Sequence, residues 1–320
     1  MRVVSLLPSA TETLSFVGGS RFLVGRSHEC DFPPSVQDRP ILTSQATEFT
    51  SAAAVDKAVS TALAEGKSLY TLDEDLLRRL APDVVLTQDL CAVCSIDLRT
   101  VERICRAMDP APAIVSLNPQ SLAGVFDDIL TVGRAVGLER EAMAAVVGLR
   151  ERLHRAQDHV NAYLDGPRVV FLEWTDPLFI GGHWTPQLIE RAGATHPLNA
   201  SVALEGSGAG GGPGGDHRAA GKSIRVPAEA VSAVRPEAVI ICPCGLDLDS
   251  TRHEARRLLE QAWFRDLPAV RANRVAIVDG NQMFNRPGPR LVDAFEWLVG
   301  WLHDLPHLIP DDFPWATLEA

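Results

Sequence analysis

LRRLAPDVVLTQDLCAVC, residues 77–94, combines the end of an apolar helix, a turn at Pro82-Asp83, a buried strand and a loop with two cysteines. VSAVRPEAVIICPCG, residues 231–245, has the same order of features in the second half of the chain. An acidic residue, Asp75 or Glu229, stands seven residues before the proline of each stretch. We interpret the two stretches as corresponding parts of an internal repeat.

Short β-branched runs, each followed by turn residues and a helical pattern, recur on both sides of these stretches. They predict strands at residues 2–7, 22–25, 83–87, 113–117, 168–172, 238–242 and 274–278. Strands that alternate with helical segments of about 10 to 15 residues are typical of parallel sheets with crossover helices. The sequence therefore predicts an α/β fold with two lobes, each built on a parallel sheet.

Two helical patterns, Gln120–Val136 and Glu139–Leu164, stand between the predicted lobes. The second predicts one helix of about 25 residues that ends before Asp165-Gly166-Pro167. The predicted domains are an N-terminal α/β lobe, a connecting helix and a C-terminal α/β lobe, at residues 1–137, 138–165 and 166–320. Residues 206–221 hold eight of the chain's 24 glycines and predict a flexible surface insertion in the last lobe.

The composition is that of a soluble globular protein, with 46% hydrophobic and 22% charged residues among 320. A net charge of -11 argues against nucleic acid and anionic membranes as partners. No apolar run approaches the roughly 18 residues of a membrane span. The start of the chain resembles neither a secretory signal nor a lipid attachment site at Cys30. The sequence as it stands predicts a cytoplasmic location, or a periplasmic one if an upstream signal precedes it.

Loops that leave the carboxyl ends of the strands in an open parallel sheet line one crevice, so their residues are the candidate ligand contacts. This rule selects the candidate residues His28, Glu29, Gln88, Asp89, Glu173, Trp174, His183, Trp184, Phe284 and Arg286. The aromatic rings suit a large flat ligand, and the arginine suits a phosphate or carboxylate on it. Capping or core roles for the histidines, and packing between the lobes for the aromatic residues, are the alternatives.

Four of the six cysteines follow predicted strands as two close pairs, Cys91 with Cys94 and Cys242 with Cys244. Thiolate and imidazole groups bind zinc, copper(I), iron or cobalt, so the pairs are candidate metal ligands. Small residues in tight turns and a redox dithiol at the first pair are the alternatives. The chain lacks the motifs GxSxG, HExxH and GxGxxG, and we predict that it is not an enzyme.

Six stretches carry a family resemblance: VVSLLPSATETL, VGRSHECDFP, APDVVLTQDLCAVC, FLEWTDPLFIGGHW, VIICPCGLDL and VAIVDGNQMFNRPGPRLVDAFE. From residue 2 to about residue 303 they resemble the helical-backbone class of ABC-importer solute-binding proteins, which carries vitamin B12, ferric siderophores, haem and some metal ions. The vitamin B12-binding branch is the most similar. The resemblance implies two Rossmann-like lobes with parallel sheets, a rigid connecting helix and a ligand between the lobes.

The resemblance also implies that Asp75 and Glu229 dock onto arginines of an ABC transporter permease. Their alternative is that of two solvated helix acids. The first functional hypothesis is non-enzymatic binding of cobalamin, another corrinoid or a similar metal chelate. The alternative is a cytoplasmic zinc- or iron-binding protein, or a metalloenzyme, that uses the four paired cysteines.

Overall fold

A computed structural model describes residues 1–45, 51–65, 69–89, 96–161, 164–212 and 214–319, apart from the side chains of residues 63 and 209. These residues divide into two compact units. Unit 1 comprises Met1–Thr50, Ala54–Pro119 and Gly124–Leu149, and unit 2 comprises Ser51–Ala53, Gln120–Ala123 and Arg150–Ala320. The chain passes from one unit to the other between Leu149 and Arg150, inside a helix. The three domains given by the sequence stay a prediction.

The first half of the chain alternates short strands with helices. Its strands are β1 (Val3–Ser5), β2 (Leu23–Arg26), β3 (Thr43–Gln45), β4 (Tyr70–Leu72), β5 (Val84–Thr87) and β6 (Ala113–Ser116). Its helices are α1 (Pro8–Phe16), α2 (Ala52–Ala64), α3 (Glu74–Leu80), α4 (Leu98–Arg106), α5 (Leu122–Ala135) and α6 (Glu139–Gln157).

The second half adds the remaining elements. Its strands are β7 (Val169–Thr175), β8 (Leu178–Ile180), β9 (Val202–Ala203), β10 (Arg218–Ala219), β11 (Ile224–Arg225), β12 (Ala238–Ile241), β13 (Val275–Val278) and β14 (Trp315–Thr317). Its helices are α7 (Trp184–Arg191), α8 (Ala228–Val234), α9 (Leu248–Leu259), α10 (Ala262–Arg265), α11 (Pro268–Arg271) and α12 (Leu291–Leu302). Each of the seven predicted strands coincides with an observed one, at β1, β2, β5, β6, β7, β12 and β13.

Each unit is built on its own sheet. Unit 1 has a sheet of four parallel strands in the order β2-β1-β5-β6. The main sheet of unit 2 has six strands in the order β11-β8-β7-β12-β13-β14, of which the central β7, β12 and β13 are parallel. These two sheets confirm the predicted α/β class, in which buried parallel strands consist of continuous apolar runs such as AVII in β12.

The flanking strands of the second sheet were not predicted. β8, β11 and β14 pair antiparallel with their neighbours, which makes this sheet mixed. β14 lies in the proline-rich segment at the end of the chain, and its Trp315 pairs with Val278. Each of these strands has only two or three residues, too few to establish a pattern in the sequence.

The same pair of hydrogen bonds occurs at the start of both sheets. It joins the residue before β1 to the residue before β5, and the residue before β7 to the residue before β12. The backbone N–H of Arg2 donates to Asp83 Oδ2 at 2.6 Å, and that of Arg168 donates to Glu237 Oε2 at 3.0 Å. The Asp83 and Glu237 amides in turn donate to the Arg2 and Arg168 carbonyls, at 2.8 and 2.9 Å. This correspondence in hydrogen bonding supports the internal repeat.

The helices of the two repeats also begin and end alike. The residue that caps the end of α3, Ala81, and the one that caps the end of α8, Arg235, are both left-handed, with φ of 40° and 50°. Asp97 is the N-cap residue before α4 and Asp247 the one before α9, and each carboxylate accepts a backbone N–H of the first turn. The two repeats therefore share local geometry as well as strand order.

Helix α6 is shorter than the sequence predicts. It ends at Gln157 after 19 residues rather than continuing for about 25. The His159 and Val160 amides donate to carbonyls three residues back, at 3.2 and 2.9 Å, which closes the last turn. Val160 then packs against Gly193, where a Cβ would lie 2.6 Å from the valine methyl. Packing of this side chain, which local propensity does not encode, accounts for the early end.

The glycine-rich insertion is anchored to α7 rather than being only a flexible loop. The Arg218 guanidinium donates to Ser201 Oγ at 2.7 Å and to the Gly211 carbonyl at 2.8 Å. Arg191 of α7, whose side chain is 3% exposed, forms an ion pair with Asp216. These contacts of charged side chains hold the segment in place, although its glycines favour a flexible backbone.

Among the described residues, no helix is long and apolar enough to cross a membrane.

Candidate functional site

His28 follows β2 in unit 1, and its ring is fixed through one nitrogen. Thr43 Oγ1 lies 2.7 Å from His28 Nδ1 and 3.1 Å from the His28 amide, and it donates to Ser27 Oγ at 2.9 Å. In this arrangement Nδ1 carries the proton, which leaves Nε2 as the acceptor. Nε2 is buried and has no hydrogen-bond partner among the described residues. Such an oriented imidazole with a free lone pair is suited to a metal ligand.

The other candidates of unit 1 lie in two loops. The Tyr70 hydroxyl donates to Glu29 Oε1 at 3.1 Å, and its ring lies 5.7 Å from that of His28. Gln88 follows β5 and is almost completely buried. Asp89 is exposed, and its amide donates to Asn118 Oδ1 at 2.6 Å. The predicted ligands Cys91 and Cys94 lie outside the described residues.

His183 of unit 2 resembles His28 in the way its ring is held. It lies 3.1 Å from Gln120 Oε1 through Nδ1, so that this nitrogen donates and Nε2 is the acceptor. The ring stacks on Trp184 at 5.5 Å. Burial, aided by Lys222, lowers the pKa of His183, which favours the neutral imidazole that binds a metal.

The backbone at His183 is also unusual. Its φ of 54° places it in the left-handed region, although it has a side chain. Such a conformation costs on the order of 1 to 3 kcal/mol and occurs preferentially at functional sites. The preceding Gly182 packs so closely that a Cβ would lie 2.4 Å from the Ser223 amide nitrogen. The backbone just before β11 therefore packs directly against the backbone next to His183.

Glu173 lies within β7 rather than in a loop after the strand, and burial raises the pKa of its carboxyl group. The Ser223 hydroxyl donates to its Oε2 at 2.7 Å, and this bond and the Gly182 amide act in the opposite direction. Trp174, the next residue, is half-buried and donates from Nε1 to the Ala52 carbonyl at 3.1 Å. The carboxyl group of Glu173 and the indole ring of Trp174 thus lie near the end of the strand, not in the loop that follows it.

Trp184 and Phe284 point into the core of unit 2. Trp184 is 6% exposed and donates from Nε1 to the Phe284 carbonyl at 2.7 Å. Phe284 is 1% exposed, with its ring 5.1 Å from that of Phe171. In this structure the two rings stabilise the fold, and their contact with a ligand stays a prediction.

Arg286 lies beside a carboxylate that was not among the candidates. Its side chain is almost completely buried, and its charge lowers the pKa of Asp279, although burial raises that pKa more strongly. Asp279 also accepts hydrogen bonds from the Asn281 amide and from Gln282 Nε2, at 2.9 and 3.2 Å. A role for Arg286 toward an anionic group of a ligand stays a prediction.

The second cysteine pair differs in burial. Cys242 is fully buried, and burial raises its pKa well above the ordinary value, with Cys244 and two carboxyl groups adding to this effect. A metal ligand must be a thiolate, so burial disfavours metal binding at Cys242. Among the described residues, no three histidine, cysteine or acidic side chains form a group that could hold a metal ion. A site that includes Cys91 and Cys94 stays a prediction.

Asp75 and Glu229 occupy equivalent positions in the two repeats. Each is exposed in the first turn of a seven-residue helix, α3 or α8.

The sequence did not predict the residues that hydrogen-bond to the candidate side chains, which are Thr43, Gln120 and Ser223. Each of them lies far in sequence from its partner. No local spacing in the sequence signals such pairs.

A family model described as "Periplasmic binding protein" matches residues 3–281. A periplasmic haem-binding protein from Pseudomonas aeruginosa is 20% identical, with a TM-score of 0.70, over 100% of this chain and 98% of its own. The periplasmic vitamin B12-binding protein BtuF of Vibrio cholerae is 18% identical, with a TM-score of 0.65, over 95% and 97%. The periplasmic haem-binding protein RhuT from Roseiflexus is 21% identical, with a TM-score of 0.67, over 95% and 98%. A comparison with curated proteins found no match.

Proposed function

This chain belongs to the periplasmic binding protein family, and we propose that it is a carrier of a corrinoid such as cobalamin, or of a similar metal chelate. Membership in a family of non-enzymatic solute binders confirms the prediction of a binding protein rather than an enzyme. Solved structures with the same fold bind haem or vitamin B12, which supports a chelate as the class of solute.

The observation that carries the proposal is the state of His28. Its Nδ1 is held by Thr43, and its buried Nε2 has no partner among the described residues. A buried nitrogen without a hydrogen bond costs about 1 to 3 kcal/mol, and an axial bond to cobalt or iron would remove this cost. His183, whose Nδ1 lies against Gln120, is the candidate ligand of unit 2.

The other proposed contacts would position the organic part of the chelate. In unit 1 these are Glu29, Gln88 and Asp89, and in unit 2 they are Glu173, Trp174, Trp184, Phe284 and Arg286. The alternative zinc or iron site at Cys91, Cys94, Cys242 and Cys244 has less support, because burial keeps Cys242 a neutral thiol.

Titration of the purified protein with aquocobalamin, cobinamide and haem tests the proposal. We expect a dissociation constant below about 10 µM for one of them, with a shift of its visible band. His28→Ala should weaken that binding about tenfold or more and abolish the shift, because the axial bond is lost. His253→Ala, which removes an exposed histidine of α9, is the matched control and should change neither.

Binding weaker than about 10 µM for all three chelates would contradict the proposed solute class. Tight binding that His28→Ala and His183→Ala leave unchanged would retain the solute class and reject the imidazoles as metal ligands.

We further propose that Asp75 and Glu229 contact an ABC transporter permease. Their exposure in matching helices of the two repeats supports this role. Asp75→Arg and Glu229→Arg should lower uptake of the chelate by cells about tenfold or more, because the introduced positive charges would repel the arginines of the permease. Binding of the chelate by the purified protein should stay the same. Glu141→Arg, at an exposed acid of α6, is the control. Unchanged uptake would remove the docking role.

The compartment is a separate question. The family is described as periplasmic, and the cytoplasmic location stays a prediction. Fractionation of the native host, with detection of this protein in each fraction, decides between the two.

A further inference from the structure

Two histidines lie close together on the surface of unit 2, and neither belongs to the candidate site. His159 follows the end of α6, and His307 lies in a short 3-10 turn, Pro306–Leu308, near the end of the chain. Both side chains are exposed, and their ring centroids are 5.8 Å apart, with planes inclined by 74°. The fold thus brings together two exposed imidazoles that are far apart in sequence.

The separation of the rings matches the geometry of a shared metal ion. A zinc–nitrogen bond of about 2.0 to 2.1 Å places each ring centroid about 3 Å from the ion, so two imidazoles on one tetrahedral zinc have centroids about 5 Å apart. Small side-chain rotations bridge the remaining difference. We propose that His159 and His307 together bind a divalent transition-metal ion such as zinc, with water completing the coordination.

The backbone on both sides of the pair is held in place, which lowers the entropy lost on binding. On one side, the Val160 amide donates to the Gln157 carbonyl at 2.9 Å. On the other, the Leu305 amide donates to the Gly300 carbonyl at 2.8 Å, and the Ile309 amide donates to the Pro306 carbonyl at 3.2 Å.

The site differs from structural zinc sites in the number of its ligands. Those sites have four protein ligands, and in the described part of the chain no third histidine, cysteine or carboxylate joins these two. We therefore expect exchangeable binding in the range of about 1 to 100 µM. The proposal is independent of the chelate site, because it uses neither His28 nor His183.

Zinc titration of the full-length protein by calorimetry tests the proposal. We expect one zinc ion per chain, and a tenfold or larger loss of affinity in His159→Ala and in His307→Ala. His253→Ala removes an exposed histidine from the same unit and should leave the affinity unchanged.

A second measurement uses the wild-type protein alone. Bound zinc should protect His159 and His307, but not His253, from acylation by diethyl pyrocarbonate, as read by mass spectrometry. Zinc affinity weaker than about 1 mM, equal affinity in the wild type and both histidine variants, or absence of protection would each overturn the proposal.

Discussion

We expect Trp297→Ala to lower the free energy of unfolding of unit 2 by about 3 to 5 kcal/mol. Trp297 lies on α12 and is fully buried. Its ring stacks on Trp301 at 5.4 Å and on Phe313 at 5.1 Å, with interplanar angles of 7° and 13°. The ring edges of Phe284 and Trp315 close the other sides, at 5.9 and 5.6 Å. Truncation would leave a cavity that four aromatic neighbours cannot fill without losing contacts with one another.

The loss at Trp297 is one of packing rather than of hydrogen bonding. Its Nε1 is buried and has no partner among the described residues. Trp297→Phe should therefore cost less than the alanine change, because it keeps a ring and removes the unpaired N–H group. Phe16→Ala, at a side chain that is 47% exposed, is the matched truncation and should change stability by less than about 1 kcal/mol.

Denaturant unfolding, followed by tryptophan fluorescence and circular dichroism, measures these differences. Because the chain forms two compact units, the data are tested for two transitions, and where two occur that of unit 2 is fitted on its own. A cost of less than about 1 kcal/mol for Trp297→Ala would show that the aromatic cluster is not a centre of stability.

The stability of unit 2 should fall by about 3 kcal/mol between pH 6.5 and pH 4 through His196 alone. His196 is 1% exposed, and its Nε2 accepts the Phe171 amide at 3.4 Å while its Nδ1 donates to the Asn199 carbonyl at 3.3 Å. Burial lowers the pKa of His196 from 6.5 to about 4. Protonation would remove the acceptor that holds the β7 amide.

The direction of the effect follows from proton binding. Between pH 4 and pH 6.5 the unfolded chain binds a proton at this residue and the folded chain does not, so acid favours unfolding. The contribution of the neutral imidazole is complete above pH 6.5 and is lost as the pH falls to about 4.

His196→Gln should remove this part of the pH dependence, since glutamine donates and accepts hydrogen bonds without titrating in this range. The measurement is chemical unfolding at several pH values from 4 to 7.5. His253→Gln, at an exposed histidine, should keep the wild-type slope. The same slope in His196→Gln as in the wild type would mean that other groups cause the acid sensitivity.

The sequence was sufficient for the seven parallel strands and for the repeat, since the apolar runs and prolines that define them are local. Leu77–Cys94 and Val231–Gly245 predicted a helix end, a turn and a buried strand in each unit, and the structure has these at α3 and β5 and at α8 and β12. The histidines at the strand ends also followed from the pattern. The pattern does not predict that Thr43 hydrogen-bonds to Nδ1 of His28, or that Gln120 hydrogen-bonds to Nδ1 of His183. Neither partner is near its histidine in sequence.

The sequence did not predict where the rings of Trp184 and Phe284 point. Trp184 and Phe284 were predicted in loops as contacts of a ligand, but Trp184 begins α7, Phe284 lies in a 3-10 turn, and both rings are packed in the core. A loop residue can face solvent or the interior without any change in local pattern, and only the shape of the surrounding core selects between them. The same reason explains the early end of α6 against Gly193 and the anchoring of the insertion by Arg218.

The sequence by itself determined the α/β class, the order of the parallel strands' segments and the family, because periodicity and motif order are properties of neighbouring residues. Only the tertiary structure decided the antiparallel edge strands of the second sheet, the burial that keeps Cys242 a thiol, and the pairing of His159 with His307. These features depend on contacts between residues that are far apart in the chain, and packing and desolvation, rather than local propensity, set their energies.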